Sequence, residues 1–169
     1  MLSQDDHLLL KKINTFLTEI GINITEAAIQ EPSFLPGLQI KNGSLIIDVT
    51  QLKYIGDILH EAGHIAIVPY NERIHLNEAD IALRPNREAE EMMTIAWSYA
   101  AATALDIDPY IVFHDNGYKG GGSYLADNFN QGRYIGVPML QWKGMAIEKR
   151  NDDNNDLPIY PKMIHWLHP

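Results

Sequence analysis

His60-Glu61-Ala62-Gly63-His64 sets two imidazoles and a carboxylate side by side in the chain. On a helix four residues turn through ~400°, so His60 and His64 project the same way, one turn apart. That separation lets two ring nitrogens reach one Zn2+ at ~2.0–2.1 Å. Glu61 lies beside that face, where a carboxylate can take a proton from metal-bound water and pass it to a leaving group. Such a pattern arises by chance in roughly one or two of a hundred chains of this composition, so its helical setting has to carry the reading.

The elements around the motif come next. A helix is predicted from near Asp48 or Thr50 to about Val68, where Pro69 ends it. Leu52, Ile55, Leu59, Ala62 and Ala66 form one apolar stripe, and the two histidines lie about 150° from its centre. That far side carries Gly56, Gly63 and Ile67, with Asp57 and Lys53 toward its N-terminal end, so both sides of the helix are expected to be covered. The bland alternative is a pair of exposed or core-satisfied histidines. A buried pair without a metal would need partners for four ring nitrogens.

Two histidines do not complete a catalytic zinc site; a third protein ligand is needed. Positions 67 and 70, where a further histidine-type continuation would place Gly and His, are Ile67 and Tyr70. The remaining solution is a Glu on a following helix. Such a helix is predicted from Arg87 to about Leu105 and opens with Glu88, Glu90 and Glu91. Its apolar stripe is Met92, Ile95, Tyr99 and Ala102. Glu91 points beside Ile95 and Ala102, Glu90 points with Trp97 and Ala101, and Glu88 lies in the first turn. Glu91 is the first choice for the metal and Glu90 the second. The competing explanation is that all three acids complement the helix dipole.

Elsewhere, Asp6–Ile20 has helical spacing with Gly21 as a stop, and Asn42-Gly43 between two apolar runs predicts a hairpin over residues 38–47. Residues 70–85 read as a loop. Asp108-Pro109 starts a short helix, His114–Ser123 is a Gly-rich loop, and Tyr124–Gln131 is a short helix stopped by Gly132. Residues 148–156 are almost wholly charged or amide and read as a solvated linker, followed by an aromatic tail. The expected architecture is an α+β fold: a single domain over residues 1–147 with a small antiparallel sheet and a mostly helical C-terminal part. The linker and tail, 148–169, would pack on the same domain. Tyr99, His114 and Tyr118 are candidates for holding a developing oxyanion, although a core or loop hydrogen bond is the commoner fate of such residues. Asp57 is either an acceptor for a histidine N–H or an exposed first-turn acid.

Composition narrows the chemistry further. Cysteine is absent, which removes disulfides, thiol nucleophiles and Cys-based metal sites and leaves His, Asp and Glu as ligands. The net charge of −9 argues against nucleic acid as the main partner. Residues 1–12 lack the basic-then-apolar order of a signal peptide, and 95–105 is too short and polar for a membrane span. A soluble, cytoplasmic protein with no membrane partner is expected. Nothing in the sequence speaks to oligomeric state.

Leu59-His60-Glu61-Ala62-Gly63-His64 resembles the zinc helix of the gluzincin metallopeptidases. The order hairpin, motif helix, Glu-bearing helix over residues 38–105 is similar to that of their small single-domain members of the ImmA/IrrE type. The later helix reads Ile95-Ala96-Trp97-Ser98-Tyr99 where that type usually has an Ala-Asn pair, and residues 106–169 lie outside the resemblance. The resemblance implies a zincin-like domain, with His60, His64 and one of Glu90 or Glu91 on zinc and Glu61 as general base. It also implies that an edge strand within 38–48 pairs with an extended peptide. The function expected is that of a zinc-dependent hydrolase, foremost a metallopeptidase acting on a peptide. The alternatives are a hydrolase of small amides or esters, and a regulatory or protein-binding module without turnover.

Overall fold

A computed structural model describes residues 3–149 and 156–169. Helix α1, Gln4–Glu19, starts where Ser3 accepts the Asp6 N–H and Asp6 accepts the Ser3 N–H, a reciprocal cap that satisfies two otherwise orphaned donors. Leu10, Ile13 and Leu17 bury its one apolar face. Strands β1 (Ile24–Glu26), β2 (Leu38–Lys41) and β3 (Ser44–Ile47) form one sheet in the order β1-β3-β2. The hairpin β2–β3 turns through Asn42 and Gly43, both with positive φ (49° and 68°), as the Asn-Gly pair requires. Only glycine fits at 43, because a Cβ there would lie 2.2 Å from the Arg73 carbonyl oxygen. The sheet is mixed, not antiparallel as expected: β1 runs parallel to β3. A three-residue strand paired through a distant crossover leaves no local turn signal to read.

The motif helix also starts later than the apolar spacing predicts. It is α2, Asp57–Ala66. Asp48 turns its carboxylate back on the chain instead of opening a helix. Oδ1 accepts from the Thr50 N–H and hydroxyl, and Oδ2 from the Ile29 N–H and the Gln51 amide. These donors hold the Asp48 pKa well below the usual carboxylate range, the Thr50 hydroxyl foremost. A depressed folded pKa favours the fold above the unfolded value of ~3.9, and that contribution fades as pH falls below it. Asp48→Asn is therefore expected to lower stability at pH 7 and to flatten its decline below about pH 4. Denaturant melts at both pH values check this, and an unchanged acid limb would refute it.

Residues 70–85, expected as a loop, hold two single-turn helices, α3 (Tyr70–Arg73) and α4 (Glu78–Ile81). Helix α5, Arg87–Ala104, packs along α2 and buries Trp97 completely. Helices α6 (Pro109–Val112), α7 (Gly122–Asn130) and α8 (Val137–Trp142) complete the helices among the described residues. Asp108 caps α6 by accepting the Tyr110 N–H, as its place before Pro109 suggests. The six-residue α8 was not anticipated. It follows Gly136 at φ 78°, where a Cβ would lie 2.1 Å from the Met92 carbonyl oxygen.

Of the polar stretch 148–156, residues 150–155 lie outside the described residues. The tail beyond it packs on the C-terminal end of α2 and the middle of α5. Trp166 packs edge-on against Phe16 (4.9 Å) and Trp97 (5.6 Å), and its carbonyl accepts the Trp97 indole N–H. The His168 N–H donates to Ala66 O, and its carbonyl accepts from buried Arg73. Among the described residues no helix is long and apolar enough to cross a membrane.

Candidate metal centre

Helix α2 is buried on nearly every side, so its polar residues face protein and not bulk water. Gly63 allows this. A Cβ at that position would stand 2.9 Å from Thr94 Cγ2 and 3.2 Å from Thr94 O, so a bare backbone lets α5 close against the motif. Gly63→Ala is expected to spread the two helices and destabilise the fold by about 1–3 kcal/mol. A thermal melt checks this, and an unchanged midpoint would contradict it.

That close approach brings three groups to one point. His60 Nε2 and His64 Nε2 lie 3.2 Å apart. One oxygen of Glu91 is 3.4 Å from the first and its other oxygen 3.5 Å from the second. Ligand atoms of His60, Glu61 and His64, one from each, also lie within 4.8 Å of one another, close enough for the three to hold a metal ion. Tetrahedral ligands at ~2.0–2.1 Å from an ion are roughly 3.3–3.4 Å from one another, so the spacing of the two histidines and Glu91 fits that donor set.

The far nitrogens of both rings are engaged as well. His60 Nδ1 is 3.2 Å from the Tyr118 hydroxyl, and His64 Nδ1 is 3.3 Å from Thr94 Oγ1. When these oxygens accept Nδ1–H, both Nε2 lone pairs point at each other and at the Glu91 carboxylate. Three electron-rich groups then converge with nothing positive between them, an arrangement that a cation resolves. Burial keeps both rings neutral: it pulls the His60 pKa down to about 4 and His64 well below its ordinary value. The contacts to Glu91 are therefore not ion pairs at neutral pH.

Glu61 is buried, and its pKa is pushed up to about 8, first by desolvation and then by Glu78, Asp57 and Glu91. Burial also raises the Glu91 carboxyl, against the pull of Arg87 one turn earlier on α5. Glu91 keeps a side chain 44 % exposed, while His60 and His64 are at 14 % and 10 %, so the centre opens to solvent on the Glu91 side. A surface depression along residues 82–91 has Glu91 in its wall.

The sequence candidates separate cleanly. Glu91 meets the histidines and Glu90 does not. Glu90 receives a paired contact from Arg84, Nε to Oε2 at 2.6 Å and Nη2 to Oε1 at 2.9 Å. Glu88 is exposed. His114 and Tyr118, expected to hold an oxyanion, sit behind the ligands. His114 has both ring nitrogens occupied, by Asp57 and by the Gly117 N–H, and Tyr118 addresses the far edge of His60. Tyr99 belongs to the aromatic core, its hydroxyl donating to Asn130. Asp57 accepts from a histidine, but from His114 and from neither motif residue.

Thr94 and Arg84 were missed. Thr94 lies three residues after Glu91 on the same helix face, so its place beside His64 could have been found once Glu91 was chosen. Arg84 lies before the helix and carries no periodic signal.

No family model, curated protein or solved structure matches this chain. The arrangement of its own residues is what bears on its chemistry.

Proposed function

We propose that the chain is a zinc-dependent hydrolase with a zincin-like site, acting on peptides. The observation that carries this reading is the convergence of His60 Nε2, His64 Nε2 and the Glu91 carboxylate, with neutral rings and a buried Glu61 beside them. His60, His64 and Glu91 would hold the ion. Bound zinc supplies a more acidic water and a polarised carbonyl. Glu61 would take the water proton and deliver it to the leaving amine: burial raises its carboxyl toward neutral pH, and a bound cation would favour the ionised form that a base requires. Thr94 and Tyr118 keep both Nε2 atoms aimed at the ion by accepting Nδ1–H.

The substrate class rests on the sheet. Strand β3 is paired on both sides, so the edge expected within 38–48 narrows to β2. Gln39 pairs with Ile46 and Lys41 with Ser44 across the two-residue turn, so those residues hydrogen-bond to β3. Ile40 then directs its N–H and C=O outward, as an added extended peptide would need. Metal analysis of dialysed protein is expected to give one zinc per chain, and a peptide-library digest to give cleavage that a chelator stops. Protein free of zinc after loading and dialysis would end this reading.

A further inference from the structure

We propose that Asp57 and His114 form a latch that holds Tyr118 on His60 and so fixes the ring that presents Nε2 to the metal. This rests on the metal-site reading above.

The contacts close a ring. Asp57 and His60 stand three residues apart on α2, while His114 and Tyr118 stand four apart on the Gly-rich loop that crosses it. His114 Nε2 meets Asp57 Oδ1 at 2.7 Å, and the Tyr118 hydroxyl meets His60 Nδ1 at 3.2 Å. The loop is thus tied to the helix at two points one turn apart. The Gly117 N–H donates to His114 Nδ1 at 3.1 Å, which assigns the proton to Nε2 and makes His114 the donor to Asp57. Tyr54 stacks on the His114 ring at 3.9 Å and covers its face. With both nitrogens and one face engaged, His114 has nothing left to offer a substrate, and its contacts are those of an anchor.

The rest of the loop is built to carry that anchor to Tyr118. Asp115 accepts the Gly120 N–H on its carbonyl and the Ser123 N–H on its carboxylate, which folds the loop onto the start of α7. Lys119 and Gly120 reverse the chain with φ of 53° and 81°. At Gly122 a Cβ would lie 2.3 Å from the Phe113 carbonyl oxygen and 2.7 Å from that of His114, so this glycine is what lets the loop sit this close to His114. Tyr118 meets Phe113 edge-on at 5.5 Å. His114 and Asp57 are therefore positioning residues, acting on the metal through Tyr118 and His60.

Zinc affinity, measured on the full chain by competition with a chromophoric chelator, tests the latch. Tyr118→Phe removes the acceptor for Nδ1–H and is expected to weaken zinc about tenfold or more. His114→Phe keeps a ring on Tyr54 but loses both hydrogen bonds, and is expected to match that loss. The double variant H114F/Y118F should be no weaker than Y118F alone, because both act through one contact. His114→Gln, which can still donate to Asp57, should restore most of the affinity. Asp57→Ala repeats the test should H114F not fold. A purely structural role predicts lowered melting temperatures with unchanged zinc affinity. That result, or losses that add in the double variant, overturns the latch. Wild-type protein that binds no zinc overturns the metal-site reading along with it.

Discussion

Glu61→Gln is expected to keep one zinc per chain and to cut turnover by roughly 100-fold to 10000-fold, the share a positioned general base contributes. The amide preserves the size of the side chain and its place beside His60 and His64, so the ligand set is untouched. It cannot accept the proton. A variant that binds zinc and hydrolyses substrate at the wild-type rate would refute the assignment of the base.

The same substitution has an effect on stability of opposite sign. The fold holds the Glu61 pKa at about 8, above its unfolded value, mainly because the carboxyl is buried. The folded chain thus favours the protonated acid, and metal-free stability falls as pH rises from ~4 toward 8. At pH 7 the unfolded chain ionises Glu61 while the fold holds it protonated, and this difference works against the fold by an amount on the order of a few kcal/mol. Glu61→Gln removes that penalty, so metal-free E61Q should melt above metal-free wild type at pH 7 and lose the advantage near pH 4. Bound zinc would offset the penalty by attracting the carboxylate, narrowing the gap between the two proteins. A gain in stability paired with a loss of turnover is the signature of a side chain kept for chemistry.

Where the sequence could be read and where it could not follows from how local each determinant is. The hairpin rests on Asn42-Gly43, two adjacent residues with one conformational requirement, and it stands where expected. Helices α1 and α5 rest on long periodic runs and end within two residues of expectation. The start of α2 does not. The spacing of Leu52 and Ile55 matches a helix, but the Asp48 carboxylate gathers four donors and holds the chain in a turn first. Parallel β1 depends on a distant partner and was not legible, and α3 and α4 are too short to leave a periodic signal.

The site divides in the same way. His60 and His64 share a face because helical geometry demands it. Helical projection ranks Glu91 ahead of Glu90, and Glu91 is the one that meets the histidines; the partner that Glu90 takes instead, Arg84, approaches from outside the helix and left no signal. The contacts of His114 and Tyr118 were not legible for a related reason. Residue type marked them as polar and titratable, but only the fold decides which edge of His60 a phenol reaches.

The contrast between the two adjacent glutamates is also the sharpest test of the ligand set. Glu91→Ala removes a partly exposed side chain that contacts the two histidine rings and makes no other ion-pair contact among the described residues. It is expected to lower zinc affinity on the order of 100-fold or more, since two histidines alone do not make a closed site. The metal-free melting temperature should stay near that of wild type. Glu90→Ala should do the reverse. It strips Arg84 of a paired contact made in a largely buried place, with Glu72 as the remaining carboxylate. Leaving a guanidinium short of its main partner is expected to lower stability by about 3 kcal/mol. Zinc affinity should change little, because Glu90 does not face the histidines. Isothermal titration with zinc and a metal-free melt on both variants separate these outcomes. Zinc lost from the Glu90 variant and kept by the Glu91 variant would exchange the two roles. The two residues are neighbours in the chain with the same functional group, and helix rotation alone places one among proton-free nitrogens and the other against a guanidinium.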